Sequence, residues 1–143
     1  MSKRATITSF GFVLLFILGF AVFFYYNFRT VVVDGQSMEP TFRSGQRVLA
    51  SQAYWLIGEV QDRDIVVIKV DGGTGYIIKR VYKKEGEVVD WANAPENHPL
   101  LKGEYVVPKG HIYVIGDNRE VSEDSRSFGA VPIDRVIGKV LKL

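Results

Sequence analysis

Asp64-Ile65-Val66-Val67-Ile68-Lys69-Val70, a turn at Asp71-Gly72-Gly73, and then Tyr76-Ile77-Ile78-Lys79-Arg80-Val81-Tyr82 decide the fold. Both runs are short, apolar and rich in β-branched residues, and turn formers bound them, which is the signature of strands. Working outward, the same pattern recurs at residues 30–33, 47–51, 87–89, 104–107, 111–115 and 136–141, with Pro108-Lys109-Gly110 as a second clear turn. This predicts an all-β protein: a compact antiparallel β-domain covering residues 29–143, with a less regular insert at about 83–107. Residues 52–60 alone suggest a helical turn or two. Within them, Tyr54-Trp55-Leu56-Ile57 either packs into the core, the commoner fate of such a run, or touches lipid.

The N-terminal segment follows different physics. Residues 5–28 carry no charge, and at 1.5 Å per residue a helix of that length reaches about 36 Å, enough to cross a hydrocarbon core of roughly 30 Å. Residues 1–28 are therefore expected to form a cytoplasmic N-terminus and one transmembrane helix. A cleaved signal peptide is the nearest competitor, but no small-x-small site follows in Phe23-Phe24-Tyr25-Tyr26-Asn27. Lys3 and Arg4 at one end, and Tyr25 and Tyr26 at the other, place the N-terminus in the cytoplasm and the β-domain outside the cell membrane.

Composition excludes several functions. The 143 residues include no cysteine and two histidines, His98 and His111, which removes thiol nucleophiles and cysteine-based zinc sites and argues against a histidine-rich metal site, so no metal is expected. The net charge of +2 comes from Lys3 and Arg4, because the remainder holds equal numbers of acids and bases. Nucleic-acid binding, which needs a clustered basic face, has no support.

Three segments offer chemistry. In Asp34-Gly35-Gln36-Ser37-Met38-Glu39-Pro40-Thr41, Gly35 permits an unusual turn and Pro40 stops helical continuation, so Ser37 sits on a bend. A serine between Gly and Pro is either a turn former or a nucleophile. In the second segment, strand alternation puts Lys79 on one face with Ile77 and Val81, and Arg80 on the other. Lys79 is then either a snorkelling lysine or one desolvated enough to lose its proton and act as a base. The third segment, residues 116–129, is a polar loop in which two acids near Arg80 and Arg126 can form ion pairs, and in which Ser122 or Ser125 can bond an amine. A Ser37-His111-Asp117 triad is the histidine alternative, but neither histidine lies in a triad context.

Together these segments resemble the bacterial type I signal peptidases, membrane-bound Ser/Lys endopeptidases that remove signal peptides from exported precursors. The resemblance runs through the N-terminal anchor, Ser37-Met38-x-Pro40-Thr41, Asp64-Ile65-Val66-Val67, Lys79-Arg80-Val81, Gly116-Asp117-Asn118, Ser122-x-Asp124-Ser125-Arg126, Phe128-Gly129 with Val131-Pro132, and Ile137-Gly138-Lys139. It implies Ser37 as nucleophile, Lys79 as general base, Ser122 as the hydroxyl that orients the amine, and Asp117–Arg80 and Asp124–Arg126 as supporting ion pairs. It implies the Ser37 amide as an oxyanion donor; Gly35 occupies the position where some relatives supply a second donor from a serine. Tyr82-Lys83-Lys84-Glu85-Gly86 replaces the family's glycine- and proline-rich stretch, which implies a reduced accessory domain.

The implied partners are secretory precursors and the lipid bilayer, with no cofactor and with the oligomeric state open. A precursor would lie along the strand edges at residues 31–34 and 76–78, where pockets lined by Val33, Met38 and Ile78 would select small residues in a small-x-small site. The competing functions are a non-catalytic, membrane-tethered assembly factor, which should lack one of Ser37 and Lys79, and an organellar inner-membrane peptidase of the same chemistry.

Overall fold

The computed structural model describes residues 3–70, 72–99 and 102–141. Met1 and Ser2 of the expected cytoplasmic end, Asp71 of the first turn, Leu100 and Leu101 of the insert, and the last two residues lie outside that set.

Burial of the Ile65–Lys69 strand explains the architecture. Ile65, Val66, Val67 and Ile68 are all buried, and alternation sends them to opposite sides. Ile65 and Val67 join one core cluster with Val33, Met38, Val48 and Ile78. Val66 and Ile68 join another with Val81, Ile112, Val114 and Val136. A strand covered on both faces reads as a continuous apolar run, as this one does.

In chain order the strands are β1 Phe28–Val32, β2 Arg47–Ser51, β3 Ile65–Lys69, β4 Tyr76–Lys84, β5 Val88–Val89, β6 Tyr105–Val106, β7 His111–Ile115, β8 Val131–Pro132 and β9 Val136–Val140. Seven form one sheet in the order β1-β2-β9-β3-β4-β7-β8, while β5 and β6 pair separately in the insert. Every pairing is antiparallel, giving the expected all-β class as a half-barrel sheet preceded by an apolar helix. All eight expected runs are strands. The fourth extends beyond Tyr82 to Lys84 because it continues along β7 through a register shift between Val81 and Lys83. The ninth, β8, was not expected: it is two residues long and holds a proline, which a sheet edge tolerates because no donor is needed there.

Helix α1, Lys3–Asn27, contains Ser9–Asn27, the one stretch among the described residues long and apolar enough to cross a membrane. It stops where Asn27 Nδ2 donates back to the Phe23 carbonyl (2.9 Å) and Gln52 N donates to the Asn27 carbonyl (3.1 Å); β1 begins at the next residue. Helix α2, Tyr54–Ile57, is the expected helical turn. Core packing of this run is overturned: Trp55 is 77% exposed and Leu56 57%. Helix α3, Ser125–Phe128, was not anticipated; Asp124 caps it by accepting from the Arg126 amide at 3.2 Å.

Candidate active site

Two backbone segments meet at Gly116. The chain leaving β1 turns at Gly35 (φ 85°), whose amide donates to Ser44 Oγ (3.2 Å), and Met38 is sunk into the core at 1% exposure. Ser37 is thereby held between a positive-φ glycine and a buried anchor. Its carbonyl accepts from the Asn118 amide at 2.9 Å, which ties the Ser37 turn to the loop after β7. A Cβ built on Gly116 would lie 2.1 Å from Ser122 Oγ and 2.6 Å from the Ser37 carbonyl oxygen. The sequence reading used Gly116 only as part of a motif. Its φ is ordinary, so no turn signal marks it; the need for glycine arises from tertiary approach.

Lys79 lies in β4 opposite Val66 of β3, on the face with Ile77 and Val81, as alternation predicted. It is 4% exposed, and its Nζ donates to Ser122 Oγ at 3.1 Å. Burial pushes the Lys79 ammonium below the usual lysine range; the nearby Asp124 and Glu123 carboxylates oppose that shift, and Arg126 adds to it. Lys79 and Ser37 line the same pocket of about 60 Å³, together with Val32, Val33, Asp34, Met38, Tyr76, Ile77 and Ile78. Val33, Met38 and Ile78 are buried, so they form its inner wall.

The expected ion pairs both form. Arg80 grips Asp117 through Nε to Oδ1 (2.7 Å) and Nη2 to Oδ2 (2.6 Å), and Thr41 Oγ1 adds a third bond to Asp117 Oδ2 (2.5 Å). Arg126 grips Asp124 through Nε to Oδ1 (2.9 Å) and Nη2 to Oδ2 (3.0 Å). Burial alone would raise both carboxyls, but the arginine bonds outweigh it, with Thr41 at Asp117 and the Gly116 amide and Ser122 hydroxyl at Asp124; both stay below the ordinary carboxylate range. Asp124 Oδ2 accepts from the Gly116 amide at 3.0 Å. Asp124 also accepts from the Ser122 hydroxyl, while Ser122 Oγ accepts from Lys79 Nζ.

The structure separates the two serines that the loop's composition left equivalent and between which the family resemblance chose Ser122. Ser122 meets Lys79, whereas Ser125 is buried with its Oγ accepting from the Val114 amide (3.0 Å). The histidine alternative is not assembled. His111 Nδ1 bonds the Lys109 carbonyl (2.9 Å) and its ring lines a different pocket with Glu59 and Val136; His98 Nε2 bonds the Gly103 carbonyl in the insert. Thr41, through its Oγ1 bond to Asp117, and Asn118, through its amide bond to the Ser37 carbonyl, are contributors to which sequence reasoning gave no role beyond a place in the motifs, because both bonds join distant segments.

Two strand edges border the pocket. β1 pairs only with β2 and ends the sheet. β4 pairs with β7 from Arg80 onward, so among the described residues Tyr76–Lys79 has no strand partner on the side away from β3.

A family model described as signal peptidase, peptidase S26, matches residues 4–95 and 91–142. Signal peptidase IB of Staphylococcus aureus (strain COL) is 31% identical over 162 aligned positions, covering 91% of this chain and 82% of that protein. Signal peptidase I of Bacillus amyloliquefaciens is 32% identical, covering 80% and 72%. The crystal structure of a signal peptidase I from Enterococcus faecalis V583 is 25% identical, with a TM-score of 0.45 over 59% of this chain and 97% of that one.

Proposed function

The chain belongs to the signal peptidase family, peptidase S26, a serine endopeptidase that removes signal peptides from secreted precursors, and on that premise we propose that Ser37 and Lys79 are its catalytic pair. Neutral Lys79 takes the Ser37 proton as Oγ attacks the scissile carbonyl, and the Ser37 amide donates to the oxyanion. The resulting ammonium protonates the departing amine, and neutral Lys79 then activates the water that hydrolyses the ester. Ser122 orients the amine, Asp124–Arg126 holds Ser122, and Asp117–Arg80 holds the loop against the Ser37 turn. Gly35 offers no side chain to the oxyanion. The observation that carries this reading is Lys79 at 4% exposure, bonded to Ser122 and sharing one pocket with Ser37.

The precursor binds as an added strand between β1 and the open stretch of β4, so backbone bonds supply affinity. A pocket of about 60 Å³ walled by Val33, Met38 and Ile78 takes a methyl-sized side chain, in keeping with small-x-small sites. Residues 1–28 form the anchor with a cytoplasmic N-terminus, and residues 29–143 form the catalytic domain, with its insert at about 83–107, on the outer face of the cell membrane. Enzyme and signal sequence then share one bilayer, which raises their effective concentration.

The test is cleavage of a precursor bearing an Ala-x-Ala site by the wild-type chain, Ser37→Ala and Lys79→Ala. Loss in both variants supports the pair, and cleavage persisting in Ser37→Ala ends it.

A further inference from the structure

We propose that α2, through Trp55 and Leu56, is a second membrane contact: a foot that enters the lipid interface beside the span and sets the tilt of the catalytic body. The inference rests on the reading that α1 crosses a bilayer. The Trp55 ring packs edge-on against Phe23, with centroids 5.8 Å apart. Phe23 lies inside the Ser9–Asn27 span, three residues before Tyr26 and thus about 4.5 Å deeper along the helix axis. A side chain touching Phe23 stands at or below the tyrosine level, where lipid is the solvent. At that depth Trp55 and Leu56 point away from the protein, 77% and 57% exposed. Tryptophan is a favoured interfacial residue, and apolar surface gains free energy on leaving water for lipid.

The foot is firmly attached. Ala53, at its start, is fully buried, and its amide donates to Ser51 Oγ (3.1 Å). Lys139, paired with Asp64 (2.8 Å), reaches the Ile57 and Glu59 carbonyls at 3.5 and 3.4 Å. β1 carries the chain away from the helix end for about 17 Å, so body tilt decides how high the Ser37 pocket stands above the lipid.

The protein has two tryptophans, Trp55 and Trp91, which permits a direct reading. The full chain is placed in phosphatidylcholine vesicles brominated near the headgroup end or the far end of the acyl chains, as Trp91→Phe or Trp55→Phe, with vesicle flotation as a control. Trp55 fluorescence should be quenched, more strongly by shallow bromines, and Trp91 should not be. Floating protein with unquenched Trp55, as when a second copy covers it, overturns the foot alone. Failure to float overturns the span reading and the foot with it. A Trp55→Ser/Leu56→Ser variant should cleave vesicle-embedded precursor several-fold more slowly and a soluble peptide at the wild-type rate; equal losses would contradict a membrane role.

An independent set of bonds leads us to infer that Asn93, in the insert, is a positioning residue for the 116–129 loop. Its carbonyl accepts from Tyr113 Oη (2.6 Å) and its Nδ2 donates to Asp90 Oδ1 (2.8 Å) and Tyr82 Oη (3.3 Å), so it is fixed from three sides. Asn93 Oδ1 accepts from Arg119 Nη1. The Arg119 guanidinium lies over the Tyr82 ring, 5.5 Å from its centroid, and the Arg119 carbonyl accepts from Arg126 Nη2 (2.8 Å). The Arg126 carbonyl in turn accepts from the Glu96 amide (2.8 Å). The insert thus grips Arg126, the residue that neutralises Asp124 behind Ser122. The charged groups acting on Lys79 are Asp124, Glu123 and Arg126. Loosening Arg126 leaves Asp124 less neutralised and keeps Lys79 protonated to higher pH.

Asn93→Ala should lower kcat several-fold at neutral pH with KM unchanged, move the rising limb of the pH profile toward alkali, and recover at high pH. A profile parallel to wild type at every pH would overturn this role, because a merely unstable variant loses activity uniformly. Arg119→Gln breaks the same link from an exposed side chain and should give the same shift if Asn93→Ala does not fold.

Discussion

Replacing Gly116 by alanine tests how closely the two halves of the site are fitted. The added Cβ would lie 2.1 Å from Ser122 Oγ, 2.5 Å from Ser122 Cβ and 2.6 Å from the Ser37 carbonyl oxygen, where ordinary contact begins at 3.4 Å. Ser122 Oγ must therefore retreat by about 1.3 Å and the Ser37 carbonyl by about 0.8 Å, unless the Gly116 backbone moves instead. Either path breaks the 3.1 Å bond from Lys79 to Ser122 or displaces the nucleophile, and misplacement by about 1 Å costs on the order of 100-fold in rate. Overpacking of this kind also costs about 1–3 kcal/mol of stability. The assay is kcat and KM on a soluble Ala-x-Ala peptide beside thermal unfolding. Gly116→Ala should lose about 100-fold or more in kcat, with KM changing far less. Adding Ser122→Gly removes the clash with Ser122 but not the one with Ser37, so the double variant should regain only part of the lost stability and none of the rate. A Gly116→Ala enzyme within a few-fold of wild type would refute the reasoning, since the segments would then be free to separate.

Ser122→Ala should lower kcat by about 10- to 100-fold, because the amine loses its aim while the Ser37 turn stays in place; an unchanged kcat would remove Ser122 from the mechanism. Lys79→Met should abolish cleavage yet raise the melting temperature at neutral pH. Burial lowers the folded-state pKa of Lys79, so between that value and the unfolded lysine value the unfolded chain binds more protons, and wild-type stability rises with pH. The advantage of Lys79→Met, about 1.4 kcal/mol per unit of depression, should shrink as pH climbs toward 10.5; an advantage independent of pH would contradict the assignment. Removing residues 3–27 should slow processing of membrane-embedded precursor more than cleavage of a short soluble peptide, and equal losses would count against a shared-bilayer effect.

Residues 64–82 could be read because burial on both faces of β3 leaves an unbroken apolar run, and the alternation along β4 placed Lys79 correctly against Ile77 and Val81. The matches of Arg80 to Asp117 and of Arg126 to Asp124 came from the family resemblance, since the loop at 116–129 holds four acids and its composition alone does not choose among them. What escaped the sequence depends on contacts between distant segments. Nothing local distinguishes Ser122 from Ser125, so only the family resemblance chose between them: both are hydroxyls in one polar loop, and the cap at Asp124 turns one toward β4 and the other toward Val114. β8 and α3 have two and four residues, too few to show any period. Tyr54-Trp55-Leu56-Ile57 has the composition of a core turn, and its exposure follows from the place where β2 ends beside α1. Residues 83–107 gave no hint of their grip on Arg119 and Arg126, since it runs through Asn93, a residue type that sequence reading assigns to turns.

The pH dependence of kcat/KM on a soluble Ala-x-Ala peptide tests the central claim most directly, because only the neutral amine of Lys79 can accept the Ser37 proton. The rate should climb about tenfold per pH unit on the acid side and level off at a pKa below the ordinary lysine value of about 10.5. A rate that is flat from acid to alkaline buffer, or that keeps climbing through 10.5, would contradict it.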